Sequence, residues 1–175
     1  SADLSRLDRV CDARGYDQET GYVENFLVAA VDAAIAMQNA SVAAESLGLG
    51  MCYIGGIRND PQAVIDLLDL PKLVFPVSGM TLGWPDADIV LRPRLPMEAV
   101  LHMESYDTSK EAEAIAAYDA SMVATGIYDG RQVPTPGKEG ETEDYGWSEH
   151  SARRVLSCSR GGIKEVLKGQ GFDLR

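Results

Sequence analysis

Apolar and polar positions alternate with different periods along the chain, and one segment stands apart from the rest. Residues 22–49 carry only three charges, Glu24, Asp32 and Glu45, and are otherwise rich in Ala, Val and Leu. Ala and Leu are strong helix formers and Gly48 and Gly50 supply a stop, which predicts one helix on the order of 40 Å long. Its apolar residues, among them Val23, Phe26, Leu27, Val31, Ile35, Met37, Val42 and Leu47, go round the whole helix. A helix apolar on all sides is buried, either in a membrane or in protein. A membrane span needs about 20 apolar residues. The uncharged run 33–44 has 12, and it contains Gln38, Asn39 and Ser41. A domain of this size cannot surround so long a helix, so a second subunit is expected to cover part of it.

The remaining pattern is shorter in range. Residues 1–21 are polar and contain Gly15 and Gly21, and read as a strand remnant followed by a loop. Met51-Cys52-Tyr53-Ile54 reads as a strand that ends at Gly55-Gly56. Asn59-Asp60-Pro61 opens a helix, with a capping side chain before Pro at the first turn, and Leu70-Pro71 closes it. Residues 73–82 read as a strand broken by Pro76 and Gly79. Residues 92–96 are held extended by two prolines, and 108–124 form a helix. Residues 126–146 read as a long loop with an acidic cluster, Glu139, Glu141, Glu143 and Asp144. Ser148 with Ser151 opens a final helix, and residues 171–174 are expected to add a short strand. No internal repeat and no second domain is evident.

Composition changes this picture little. The 175 residues suit one domain, with 45% hydrophobic and 25% charged residues. A net charge of -11 disfavours nucleic acid and anionic membranes as partners. Cys11, Cys52 and Cys158 are far apart and form no CxxC pair, and the two histidines, His102 and His150, are too few for most metal sites. No metal site is expected. The thiols fit a reducing cytoplasm, and no signal peptide opens the chain.

Familiar catalytic sets are missing. Gly48-Leu49-Gly50 follows a helix and precedes a strand, the reverse of a dinucleotide-binding turn, so a helix C-cap is the better reading. Ser148 and His150 lie two apart on a helix and point to different faces. No pair of carboxylates stands out for acid–base work, and no catalytic side chain is assigned. Chemistry without an evident nucleophile, metal or acid–base pair can reside in a bound organic cofactor.

The run 43–59, Ala-Ala-Glu-Ser-Leu-Gly-Leu-Gly-Met-Cys-Tyr-Ile-Gly-Gly-Ile-Arg-Asn, closely resembles the FMN-dependent nitroreductase superfamily. It is most similar to the NADPH-preferring oxygen-insensitive nitroreductases and flavin reductases. Leu82-Gly83-Trp84-Pro85, Arg92-Pro93-Arg94-Leu95-Pro96, the segment 102–106 and Trp147-Ser148-Glu149-His150 extend the resemblance in the family's order. The resemblance implies an α+β fold, a mixed and mainly antiparallel sheet flanked by helices, in a homodimer built round the long helix. It implies a cytoplasmic NAD(P)H oxidoreductase with FMN at the subunit interface. Hydride would pass by a ping-pong route from NADPH or NADH to a small-molecule acceptor: a nitroaromatic, a quinone or a flavin.

Residue by residue, the resemblance sends Tyr53, Ile54, Gly55 and Gly56 beside the isoalloxazine, with a backbone N–H near Gly55 or Gly56 reaching the flavin ring. From the residues alone, a plain strand-to-turn corner is the better reading. Arg92, Pro93 and Arg94 match the element that holds the FMN phosphate. Two guanidiniums two residues apart in an extended chain can share one phosphate, or one can be a surface charge. Arg131 matches the basic loop that meets the NADPH 2′-phosphate, although the stretch 132–145 is longer and more acidic than in the family. Tyr128 is either core or loop packing. The family's opening helix and basic His-Arg-Ser-type segment have no match, so residues 1–175 are expected to form one nitroreductase-like domain, N-terminally incomplete. The alternative is a non-catalytic dimeric interaction module, or a flavin-binding remnant left by loss of that segment.

Overall fold

The computed structural model describes residues 1–87, 90–135, 137–156 and 160–175. Cys158, one of the three cysteines, lies outside them. The chain divides into two compact units, Ser1–Ala87 with Ser159–Arg175, and Asp88–Cys158.

In the first unit the chain opens with β1 (Ala2–Asp3), which pairs antiparallel with β3 (Val74–Phe75). The expected loop after β1 is instead a helix, α1 (Ser5–Arg14). Local chemistry explains it: the Asp3 carboxylate accepts from the Ser5 backbone N–H at 2.8 Å and from the Ser5 hydroxyl at 2.7 Å. Leu4, Leu7 and Val10 follow helical spacing. Gly15 does not break this helix but ends it, at φ 73° in the left-handed region.

The long helix is α2 (Val23–Ser46), 24 residues and about 36 Å. By length and a mean hydropathy of 1.5 it could cross a membrane. Its buried residues Ala29, Ser41 and Ala44 lie on one side, against β1 and β2. Gly48, at φ 81°, turns the chain out of the helix, and the Leu49 N–H bonds the Ala44 carbonyl at 3.0 Å. The C-cap reading of Gly48 therefore holds. β2 (Gly50–Ile54) follows and pairs antiparallel with β4 (Gly79–Gly83) over five residue pairs, Tyr53 opposite Met80 and Ile54 opposite Gly79. Between them come a 3-10 turn (Gly55–Asn59) and α3 (Pro61–Leu67), whose first turn is capped by Asp60 accepting from Ala63 N–H at 3.0 Å.

The expected single final helix is two: α5 (Trp147–Val155), in the second unit, and α6 (Ile163–Gly169), in the first. Residues 171–174 form no strand. They run irregularly, with Phe172 fully buried beside Phe75, Ala2, Leu4, Ala29, Leu73 and Leu167. Phe26 meets Phe75 and Phe172 edge-on, at centroid distances of 6.0 and 5.4 Å. Gln170, itself buried, donates from Nε2 to the Val74 carbonyl at 2.9 Å, while its own carbonyl accepts from Leu73 N–H at 2.7 Å. This core ties the C-terminal end to β3.

The second unit contains a 3-10 turn (Met97–Ala99), α4 (Glu111–Val123), and a hairpin of β5 (Gln132–Pro134) and β6 (Thr142–Asp144). The long loop expected over 126–146 thus contains a short antiparallel ladder. Trp147 and Ser148 backbone N–H groups at the start of α5 both donate to Oδ1 of Asp119, on α4, and the Ser148 hydroxyl donates to its other oxygen. The cap comes from another helix, so spacing along the sequence cannot reveal it. The fold is α+β, as expected, with its antiparallel strands in three two-stranded ladders among the described residues.

Candidate functional site

Tyr53, Ile54, Gly55 and Gly56 lie together where β2 runs into its 3-10 turn. The Tyr53 ring turns toward α2: its hydroxyl donates to Gln38 Oε1 at 2.6 Å and sits 2.6 Å from Ser41 Oγ. That leaves the backbone of Ile54-Gly55-Gly56 as the feature the corner presents. Among the described residues, and apart from Gly56 and its chain neighbours, no atom lies within 4 Å of where a Gly56 Cβ would stand. At Gly55 the nearest atoms, among the described residues and apart from its chain neighbours, belong to the Arg58 guanidinium, with Nη2 at 3.3 Å from that position. A planar group can therefore approach this backbone closely, which side chains on both residues would hinder. Arg58 is held in place by donating from Nη1 to the Val77 carbonyl, which puts a fixed cation beside the turn.

Arg92, Pro93 and Arg94 lie in the second unit, in the extended stretch before the 3-10 turn at Met97. Both arginines are exposed, and neither forms an ion pair among the described residues. The Pro93 carbonyl accepts from Tyr118 Oη at 3.4 Å, which pins the middle of the motif to α4. An extended, anchored backbone with two uncommitted guanidiniums suits a doubly charged phosphate.

Arg131 stands at the base of the hairpin. Its Cζ lies 5.6 Å from the Tyr145 ring centroid, a cation–π distance. Tyr128 is buried there, edge-on to Tyr145 at 5.4 Å, so the packing reading of Tyr128 holds. Burial pushes the Tyr128 phenol above its ordinary value. Tyr145 Oη and His150 Nδ1 are 3.1 Å apart. Lys138 is occupied by Glu141 at 3.0 Å.

Reading the sequence missed Ser41, Gln38, Arg58 and Asp119. Ser41 and Gln38 are polar residues in an Ala- and Val-rich helix, and that contrast is a usable signal. Asp119 gave none, because its partners are 28 and 29 residues away. Among the described residues no cluster of three His, Cys, Asp or Glu side chains suits a metal ion.

Residues 14–84 match the model of the nitroreductase family, and residues 92–175 match the nitroreductase family C-terminal domain. The chain belongs to the nitroreductase family. It is 39% identical over 174 residues to the oxygen-insensitive NADPH nitroreductase of Salmonella typhimurium, covering 99% of this chain and 67% of that protein. It is 37% identical over 171 residues to the Cr(VI) reductase of Pseudomonas sp. strain G-1, covering 98% and 67%. Among solved structures, the hypothetical oxidoreductase YcnD from Bacillus subtilis superposes with a TM-score of 0.86 at 38% identity, over 99% of this chain and 67% of that one. The NADPH:FMN oxidoreductase from Vibrio harveyi in complex with NAD+ superposes with a TM-score of 0.80 at 32% identity, over 99% and 65%. The chain thus spans about two thirds of the length of these relatives.

Proposed function

We propose that this nitroreductase-family chain is an FMN-dependent NAD(P)H oxidoreductase, working as a cytoplasmic homodimer and reducing nitroaromatics, quinones or flavins. The observation that carries the reading is the glycine corner at the end of β2. Among the described residues, its backbone is open beside Gly56 and bounded by the Arg58 guanidinium at Gly55. These residues fit the flavin ring. When bound, FMN would supply the chemistry of taking up and passing on a hydride.

The protein's own contribution is binding and electrostatics. A backbone N–H near Gly55 or Gly56 would donate to the ring, and Arg58 would favour negative charge beside it. Arg92 and Arg94 would hold the phosphate through charge-assisted hydrogen bonds, with Pro93 keeping them extended. Arg131 serves the nicotinamide dinucleotide, and the acidic neighbours on β6 weaken any preference for a 2′-phosphate. Residues 1–175 serve as one nitroreductase-like domain. The dimer reading rests on α2, which leaves Leu27, Val28, Val31, Ile35 and Val42 exposed. Val28, Ile35 and Val42 are seven apart, and Val31 completes a coiled-coil-like seam.

The test is flavin titration of the purified chain, alone and carrying the first third of the Salmonella nitroreductase ahead of it. Quenched flavin fluorescence and NAD(P)H-dependent quinone reduction by the extended chain are expected, with weaker binding by the chain alone. An extended chain that folds, ignores FMN and leaves NAD(P)H unoxidised refutes the enzyme reading.

A further inference from the structure

The Tyr53 hydroxyl joins two elements that the sequence separates. Ser41, only 3% exposed, has a hydroxyl 2.6 Å from Tyr53 Oη, 2.9 Å from the Met37 carbonyl and 3.4 Å from Met80 Sδ. Tyr53 donates its single proton to Gln38 Oε1, so its oxygen accepts from Ser41, whose one proton is shared between Tyr53 Oη and the Met37 carbonyl. The result is a chain of hydrogen bonds from α2 into the last turn of the β2–β4 ladder. Tyr53 is 42% exposed, and a hydrogen bond open to water holds a strand end weakly.

Gln38 adds a second observation. It falls on the α2 seam, seven residues from Val31 and between Ile35 and Val42. A polar amide in an apolar stripe is costly to cover unless its hydrogen-bonding capacity is met. Tyr53 meets the carbonyl half of it.

We propose that Tyr53 is a positioning residue: clamped by Ser41 and Gln38, it fixes the end of β2 and so the placing of the Ile54-Gly55-Gly56 backbone. Its consequence for flavin rests on the reading of that corner given above. Covering the α2 seam removes water as a competitor for Gln38 and strengthens the clamp. Association through α2 and order at the glycine corner are thereby coupled, each favouring the other.

The clamp is tested first in the flavin-free full chain, by amide hydrogen exchange. Tyr53→Phe and Ser41→Ala should each speed exchange at residues 54–57 by about tenfold, as the loss of one ordinary hydrogen bond implies. The double variant should be no faster than the faster single one, because both remove the same linkage. Ser41→Thr should exchange like the parent, since a Thr hydroxyl in a helix can make the same bonds. The β1–β3 ladder should be unaffected throughout. Unchanged exchange at 54–57, or a uniform rise that includes β1–β3, overturns the proposal.

A second arm separates it from the flavin reading. Tyr53→Phe should weaken riboflavin and FMN by the same factor, since it disturbs ring contacts and not phosphate contacts. A parent that binds neither flavin refutes the flavin reading while the exchange result still decides the clamp. A parent that binds flavin, with a Tyr53→Phe variant that binds and exchanges identically, refutes the clamp alone.

Discussion

Two antiparallel ladders in this chain are built from the same number of strands and differ in almost everything else. β2–β4 spans five residue pairs, lies against α2, and meets it at Ser41, whose hydroxyl lies 2.6 Å from Tyr53 Oη and 3.4 Å from the accepting Met80 Sδ. β5–β6 spans three pairs, and of its six residues only Val133 is buried. The first ladder has no buried residue of its own and is tied to α2 at its Tyr53–Met80 pair. The second is held at its base, where Tyr128, Tyr145, His150 and Arg131 pack together, and its strands carry acidic side chains into solvent. A ladder fixed to a helix can present backbone to a ligand with the same geometry each time. A ladder fixed only at its base can vary in length and charge at little cost in stability, which suits a segment that discriminates among ligands.

The largest effect should come from breaking the support of the first ladder. Replacing Ile35 by Glu puts a charge in the middle of the exposed α2 seam, and in a homodimer it would meet its own copy. Burying like charges without partners costs several kcal/mol. Dimer dissociation should therefore rise by at least about 100-fold, which is roughly 2.7 kcal/mol. Light scattering over a concentration series measures it. An Ile35→Glu chain as dimeric as the parent would show that α2 is not the contact.

The phosphate motif should come next. Each charge-assisted hydrogen bond is worth roughly 1.5–3 kcal/mol, so Arg92→Ala or Arg94→Ala should weaken FMN by about 10- to 150-fold. Riboflavin, which has no phosphate, should bind as before. Lys in place of Arg should recover part of the loss, as a point charge without the fork. Fluorescence titration with both flavins makes the comparison. If both Ala variants hold FMN as the parent does, the two arginines are ordinary surface charges.

A smaller effect is expected where the second unit depends on one carboxylate. Asp119 receives three hydrogen bonds at the start of α5. Asp119→Ala should cost about 1–2 kcal/mol, the usual range for losing a helix cap. That corresponds to a Tm lower by roughly 2–8 °C for a chain of this size. A scanning calorimetry trace unchanged by the substitution would mean that water caps the helix as well as Asp119 does.

Legibility in the sequence divides along the same line as the two ladders. α2, β2, α3 and the extended 92–96 stretch follow from local signals: an Ala-rich run, an apolar tetrad before two glycines, Asp-Pro at a helix start, and two prolines. The glycine corner and the Arg-Pro-Arg motif were visible for the same reason, since each is a contiguous string. What could not be read was held by partners distant in sequence. α1 reads as loop because its residues are polar, yet the Asp3 carboxylate accepts from the N–H of Ser5, its first residue, and Leu4 drops into a core completed by Phe172. The break between α5 and α6 does have a local mark, Gly161-Gly162 directly before α6, which the expectation of one final helix passes over, whereas the cap from Asp119 has none. Tyr53 was legible as part of a motif, but its role as a clamp needed Ser41 and Gln38, 12 and 15 residues away.

The smallest effect concerns the base of the hairpin and depends on pH. Burial is the main cause that raises the Tyr128 phenol above its ordinary value of 10.0 in the folded chain, with Tyr118, Tyr145 and Asp119 adding to it and Arg131 opposing it. The neutral phenol is thus favoured by folding, and below pH 10 it is neutral in both states. Its contribution to stability is fully present there. As pH rises past 10 the unfolded chain ionises first, and the contribution is lost as pH climbs through the raised folded value. Tyr128→Phe cannot ionise, so its Tm should decline less steeply than the parent's between about pH 9.5 and 11. Below pH 9 the two curves should run parallel, offset only by the packing change. Other groups titrate over the same range in both proteins, and the difference between the curves removes them. Parallel curves through pH 11 would mean that the phenol reaches solvent and that the base of the hairpin opens readily, leaving the second ladder even less anchored than its packing suggests.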